Sequence, residues 1–205
     1  MLRIPPTNAS TDVNTMYTKG YRCPRILKSI KMNTQIIDLN AQRRLACLVF
    51  MQWEFDANGM AKSSLGGALK ERLSGFVAYF TGLLSRSKPH TLTVYYALTL
   101  LHRLRHMHPQ TVGEPGCSHR LLTVALMLSY RYIEQPEDEL QDCRASVEEW
   151  SRLSGGLFSA ADLHRMEHEM SSFLGFDACV WMDEIEAIWL RPSLTRRTQN
   201  ECIDR

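Results

Sequence analysis

The sequence predicts an all-α protein, and three observations support this fold class. Several stretches repeat their apolar residues with the 3.6-residue spacing of a helix, and no stretch shows the alternation of a half-buried strand. Two stretches, 91–105 and 121–127, are apolar around most of the helix circumference. Helices of that kind must be surrounded by other helices, so the sequence predicts a layered helical bundle.

The region before the first helix, residues 1–38, is predicted to be a flexible basic arm. It is polar and has no acidic residue between Asp12 and Asp38. Such an arm is either a solvated tail or a segment that binds an anionic surface or acts as an import signal. Its basic residues recur at about every third position: Lys19, Arg22, Arg25, Lys28 and Lys31.

The next region, residues 39–67, is predicted to hold an N-terminal helix and a linker. The helix runs from about residue 40 to 56 behind an Asn40 N-cap, and the glycine- and serine-containing stretch 57–67 breaks the pattern. The first helix of the main domain then covers 68–86. Pro89 opens the second, which ends near His108.

The third helix of this domain is predicted to run from about Ser118, as its cap, to Glu134, and to be the most buried of all. An acidic loop follows, and a short helix over 146–153 then ends at Gly155-Gly156, because glycine accommodates the backbone that terminates a helix.

The fifth helix of the main domain is predicted to start behind Ser159, which has an acid three residues later at Asp162. It is predicted to end near residue 174. A last amphipathic helix is predicted to begin at Asp177, and residues 177–205 form this helix and a polar tail.

Charge, hydropathy and cysteine content exclude several classes of protein. The 24 Lys and Arg against 22 Asp and Glu give a net charge of +2, too balanced for a protein that mainly binds nucleic acid. The longest apolar run, 121–130, is shorter than the roughly 20 residues that cross a bilayer, and no apolar signal sequence follows Met1, so no membrane association is expected. Six cysteines without a C-x-x-C pair favour reduced thiols and a location in the nucleus or cytoplasm.

Over residues 68–176 the chain resembles the cyclin box. Four stretches carry the resemblance: Phe76-Val-Ala-Tyr-Phe80, Ala-Leu-Thr-Leu-Leu-His-Arg-Leu at 97–104, the run from Arg120 to Tyr132, and the ending at 149–176 with its paired glycines. The paired glycines and the single box are similar to the P/U-type cyclins, the group typified by phosphate-regulon cyclins.

The resemblance implies a regulatory subunit that binds and activates a cyclin-dependent protein kinase. It implies no catalytic residue, cofactor, metal or small-molecule substrate, because the chemistry stays in the kinase. In the family, the third and fifth box helices present a Lys and a Glu to the regulatory helix of the kinase. The matching positions are Arg131 and Glu167, which are expected to lie together on one exposed face with their neighbours Tyr130, Glu134, His164 and Met170.

The chain departs from the family pattern in three places. The Lys has become Arg131, which keeps the charge but presents a planar fork of donors. The Met-Arg-Ala-Ile-Leu docking patch of cell-cycle cyclins is absent from the first box helix, and the loop 134–146 is longer and more acidic. The alternative interpretation of Arg131 and Glu167 is an ordinary surface or intramolecular ion pair.

Two rival functions are weaker predictions. His164-Arg-Met-Glu167-His168 reads H-x-x-E-H, the signature of one class of zinc peptidase, but the remaining chain shows no evident third ligand. A second possible metal cluster is formed at helical spacing by His102, His106 and His108. It lies among Arg103 and Arg105, whose charge opposes a divalent cation, so a solvated basic helix end is predicted there instead. A cyclin-fold transcription or scaffold protein that does not activate a kinase is the other alternative.

Overall fold

The computed structural model describes residues 37–54, 66–109, 111, 113, 116–133 and 143–190. These residues form seven helices and no strand, which confirms the predicted all-α class. The helices are α1 (Leu39–Glu54), α2 (Gly66–Ser87), α3 (Thr91–Met107), α4 (Cys117–Ile133), α5 (Cys143–Leu153), α6 (Ala160–Phe173) and α7 (Met182–Ile185), and α7 continues into a π-helical turn, Glu186–Leu190. The arm 1–36 and most of the predicted linker and acidic loop lie outside the described residues.

Helix α4 is the centre of the bundle. It packs against α1, α2, α3, α5 and α6. Val124, Leu126 and Leu128 are all buried, as the apolar circumference of this stretch predicted. Ala97 on α3 and Ala125 on α4 are fully buried, and their small side chains allow the two helices to approach closely.

The helix ends show which local predictions were right. Ser159 caps α6 as predicted: its hydroxyl oxygen accepts a hydrogen bond from the Asp162 amide at 3.1 Å. The predicted Asn40 cap is wrong, because Asp38 Oδ1 accepts from the Ala41 amide at 2.8 Å and α1 begins at Leu39. Ser118 is not a cap either, since α4 already begins one residue earlier.

The turn between α5 and α6 is built on two glycines. Gly155 and Gly156 both have φ near +75°, in the left-handed region that side chains with a Cβ rarely adopt. Arg86 at the end of α2 donates from Nε to the Leu153 carbonyl oxygen at 2.6 Å. This bond satisfies an end carbonyl of α5 and fixes the direction from which the chain enters α6.

Residues 177–190 form a C-terminal strap that lies along α3. The predicted helix from Asp177 is wrong for its first residues, because α7 begins only at Met182. The Tyr96 hydroxyl donates to the Ala178 carbonyl oxygen at 2.7 Å and accepts from the Val180 amide at 3.1 Å. Because the Tyr96 hydroxyl takes these two backbone groups, the chain at 178–180 is not helical.

Further along α3, two more side chains hold the strap. Thr99 Oγ1 accepts from Trp189 Nε1 at 3.0 Å, and Arg103 forms a two-bond ion pair with Glu184. Positions 96, 99 and 103 are three and four residues apart and therefore share one face of the helix.

None of the described helices is long and apolar enough to span a bilayer.

Candidate functional site: a buried arginine–glutamate pair

Arg131 and Glu167 meet between α4 and α6. Arg131 Nη1 donates to Glu167 Oε1 across a separation of 36 residues in the chain. The cyclin resemblance and the alternative interpretation as an intramolecular ion pair both expected these two residues to lie together, and the structure shows them paired. The expectation that they lie exposed is wrong, because their side chains are only 8% and 2% exposed. Each charge is the other's partner, which is the condition under which such groups tolerate burial.

The sequence explains why these two side chains point inward. Arg131 lies in the last turn of α4, whose residues 121–129 are all buried between the neighbouring helices. Glu167 shares the buried face of α6 with Leu163, Met166 and Met170, at the three- and four-residue spacing of one helix face. Packing α6 on α4 therefore brings one cation and one anion into the same apolar contact.

The other residues predicted for this surface have different environments. Met170 is buried, so it packs in the core and is not on an exposed face, contrary to the prediction. His164 is exposed. Tyr130 is half-buried and its ring meets that of Trp150 edge to face, with centroids 6.0 Å apart. Glu134 lies outside the described residues.

Sequence reasoning missed an aromatic contact beside the pair. Tyr132, the residue after Arg131, is 40% exposed, and its ring stacks on that of Tyr96 on α3 at 6.2 Å. Trp150 on α5 was also missed as the partner of Tyr130. The only local signal was the Tyr130-Arg131-Tyr132 triplet, since the partner rings come from distant helices.

The histidines of the H-x-x-E-H motif do not converge with its glutamate. His164 and His168 are exposed, whereas Glu167 is buried and hydrogen-bonded to Arg131. A carboxylate held in this way is not presented to a metal or to a water. Within the ranges that the structure describes, no group of three His, Cys, Asp or Glu side chains is placed to hold a metal ion.

The second histidine group is more enclosed than the predicted solvated helix end. His108 places Nε2 3.0 Å from the Phe173 carbonyl oxygen and contacts the Phe173 ring, so it joins the ends of α3 and α6. His102 is half-buried, and burial lowers its pKa; the His106 charge lowers it further, and Glu184 opposes both effects. Only His106 is exposed.

Comparison with known proteins identifies a distant relative. PHO85 cyclin-1 of Saccharomyces cerevisiae is 25% identical to the chain over 115 residues, which cover 56% of this chain and 39% of that protein. The chain therefore spans about two fifths of the length of the relative that it matches. No protein-family model matches the chain, and no solved structure gives a significant match. The match and the all-α bundle together support a cyclin-like relationship.

Proposed function

We propose that this protein is a regulatory cyclin subunit that binds a cyclin-dependent protein kinase and activates it by positioning its regulatory helix. The observation that carries the proposal is the Arg131–Glu167 pair, which joins α4 to α6 at the two positions where the cyclin resemblance expects a Lys and a Glu. The similarity to a protein named as a cyclin supports it independently.

The geometry of the pair suits a docking point. Two packed helices fix both side chains, so little side-chain entropy remains to be lost when a partner binds. The pair is also neutral as a unit, which avoids the cost of burying a lone charge under a partner. Arg131 is the more exposed of the two side chains, at 8% against 2% for Glu167.

In this proposal the protein positions the regulatory helix of the kinase, and the kinase itself catalyses phosphoryl transfer. A kinase is active when the Glu of its regulatory helix pairs with the strand Lys that orients the ATP phosphates. A rigid surface where the end of α4 packs on the middle of α6 would hold that helix in its active position and shift the kinase population toward the active state.

The finer assignment to the single-box P/U-type cyclins is part of the same proposal. Gly155 and Gly156, the paired glycines of the motif, form the left-handed turn that directs α6 toward α4. The relative, by its name, is a cyclin of PHO85. Both observations favour this subgroup over cell-cycle cyclins, whose docking patch is absent from α2.

Affinity purification tests the proposal. The tagged full chain is expressed in Saccharomyces cerevisiae, and the recovered proteins are identified by mass spectrometry and assayed for protein-kinase activity. We expect a cyclin-dependent kinase, PHO85 first among the candidates, in stoichiometric amount and with activity above that of the kinase alone. A preparation that contains no such kinase, or one that is not activated, would overturn the proposal.

A pair of double variants separates loss of binding from loss of folding. Replacing a buried ion pair by apolar residues of similar volume is often neutral for stability, so Arg131→Met with Glu167→Leu should remain folded. We expect this variant to lose most of the co-purified kinase. The matched control, Arg165→Met with Asp162→Asn, removes an exposed ion pair on the surface of α6 and should retain it.

A further inference from the structure

The buried Tyr96 contacts the ring of one exposed aromatic residue, Tyr132, and the backbone just before a second one, Trp181. The Tyr132 ring lies nearly parallel to that of Tyr96, with an interplanar angle of 22°. The Tyr96 hydroxyl bonds to the backbone at Ala178 and Val180, and Trp181 is the next residue. We call Tyr132 and Trp181 the aromatic ledge.

Trp181 is held outward by the backbone of the strap. Its neighbour Val180 is 3% exposed, whereas Trp181 is 48% exposed. The backbone at Trp181 is extended, with φ −90° and ψ 149°, and in an extended chain successive side chains point to opposite sides. The Trp181 carbonyl oxygen also accepts from the Glu184 and Ile185 amides, so its backbone is fixed as the start of α7.

The buried pair alone offers too little surface for a stable complex. A standard interface buries about 800 Å² on each partner, and its affinity depends on a few aromatic and arginine anchors. Tyr132 directly follows Arg131, about 100° around the α4 axis. Tyr132 therefore places one ring of the ledge next to the pair, whereas the exposed Met107 and Leu157 lie at the end of α3 and in the turn after α5.

Charge around the ledge indicates the chemistry of its occupant. Asp177, Asp183 and Glu186 flank Trp181 in the chain and are all exposed, whereas Glu184 is bonded to Arg103. An apolar centre with an acidic rim is complementary to an apolar patch bordered by Lys or Arg.

We infer that the aromatic ledge is a second anchor for the same kinase, which binds it through an apolar patch with a basic rim. The strap thus supplies part of the interface, and Tyr96 is the positioning residue that joins the strap to the end of α4. This inference rests on the proposed function, since it names the surface by which the proposed partner is held.

The affinity of the purified full chain for purified PHO85 tests the inference. Trp181→Ala removes the exposed ring and keeps the backbone bonds, so the variant should fold with an unchanged melting temperature. We expect the dissociation constant to rise about tenfold or more, as for an aromatic anchor. Leu157→Ala, which removes another large exposed side chain away from the ledge, is the matched control and should bind like the wild type.

A second measurement tests the rim. Asp183→Asn with Glu186→Gln should slow association and reduce its dependence on salt, because rim charges act mainly on the rate of encounter. If Trp181→Ala binds like the wild type while Arg131→Met with Glu167→Leu does not, the ledge is not an anchor but the proposed function stands. If the wild-type chain does not bind PHO85 at all, the inference and its premise both fail.

Discussion

Two Arg–Glu pairs among the described residues have the same chemistry and different surroundings. The Arg131–Glu167 pair joins α4 to α6 with side chains 8% and 2% exposed, whereas the Arg103–Glu184 pair joins α3 to the strap with side chains 21% and 25% exposed. Water screens the second pair and is nearly excluded from the first. Removing one partner should therefore be costly in the bundle and cheap at the strap.

The largest effect is expected from Glu167→Ala. This change leaves the Arg131 charge in a buried site without its carboxylate, and such a loss typically costs about 3–5 kcal/mol of unfolding free energy. Urea denaturation followed by circular dichroism measures it. If Glu167→Ala lowers the unfolding free energy by less than about 1 kcal/mol, the buried pair contributes no more than a surface ion pair. The expected difference between the two pairs would then be absent.

The same comparison shows how far the sequence could predict this site. Helical periodicity identified α4 as the buried centre, and the cyclin resemblance paired Arg131 with Glu167, but neither could show that both side chains are enclosed. Burial depends on how α6 crosses α4, and that follows from packing over the whole bundle. Met170 was misplaced for the same reason.

The strap was predicted less well because its structure depends on contacts distant in sequence. The apolar spacing after Asp177 is typical of a helix, but the Tyr96 hydroxyl, 82 residues from Ala178, takes the backbone groups that a helix would use. Similarly, Asp38 competes with Asn40 as the cap of α1, and both are good capping residues. Local patterns cannot rank such competitors.

The next largest effect is expected at Tyr96. Tyr96→Phe keeps the ring under Tyr132 but leaves the buried Ala178 carbonyl and Val180 amide without their partner, which typically costs about 1–3 kcal/mol. Hydrogen exchange at the Val180 amide should accelerate more than exchange in α4. Tyr95→Phe, on the neighbouring position of α3, is the control; equal acceleration in both variants would mean that the hydroxyl does not hold the strap.

A smaller effect is expected from Glu184→Ala. The Arg103 guanidinium stays accessible to water when its partner is removed, so the loss should be about 0–1 kcal/mol, and it should shrink further as salt is added. Measured by the same denaturation as Glu167→Ala, it supplies the direct test of the comparison. A loss as large as that of Glu167→Ala would show that burial does not separate the two pairs.

Two histidines extend the contrast to the dependence of stability on pH. His119 at the start of α4 packs against the Phe76 and Tyr79 rings, and its buried Nδ1 has no hydrogen-bond partner among the described residues. Burial lowers its pKa, and the Arg72 charge lowers it further. At His102, beside the strap, the Glu184 charge instead opposes the effect of burial.

The pH dependence should therefore depend more on His119 than on His102. Since the pKa of His119 is lower in the folded chain than its ordinary value of about 6.5, the unfolded chain binds the proton more readily. The contribution of neutral His119 to the free energy of unfolding is complete above about pH 6.5. It is lost as the pH falls from there toward the lower pKa of His119 in the folded chain. His119→Phe keeps an aromatic ring at this position and should flatten the fall in unfolding free energy between about pH 6.5 and 5. His102→Phe should reduce the pH dependence less than His119→Phe does, because the Glu184 charge offsets part of the cost of protonating His102 in the folded chain. A larger effect of His102→Phe than of His119→Phe would contradict this role of Glu184.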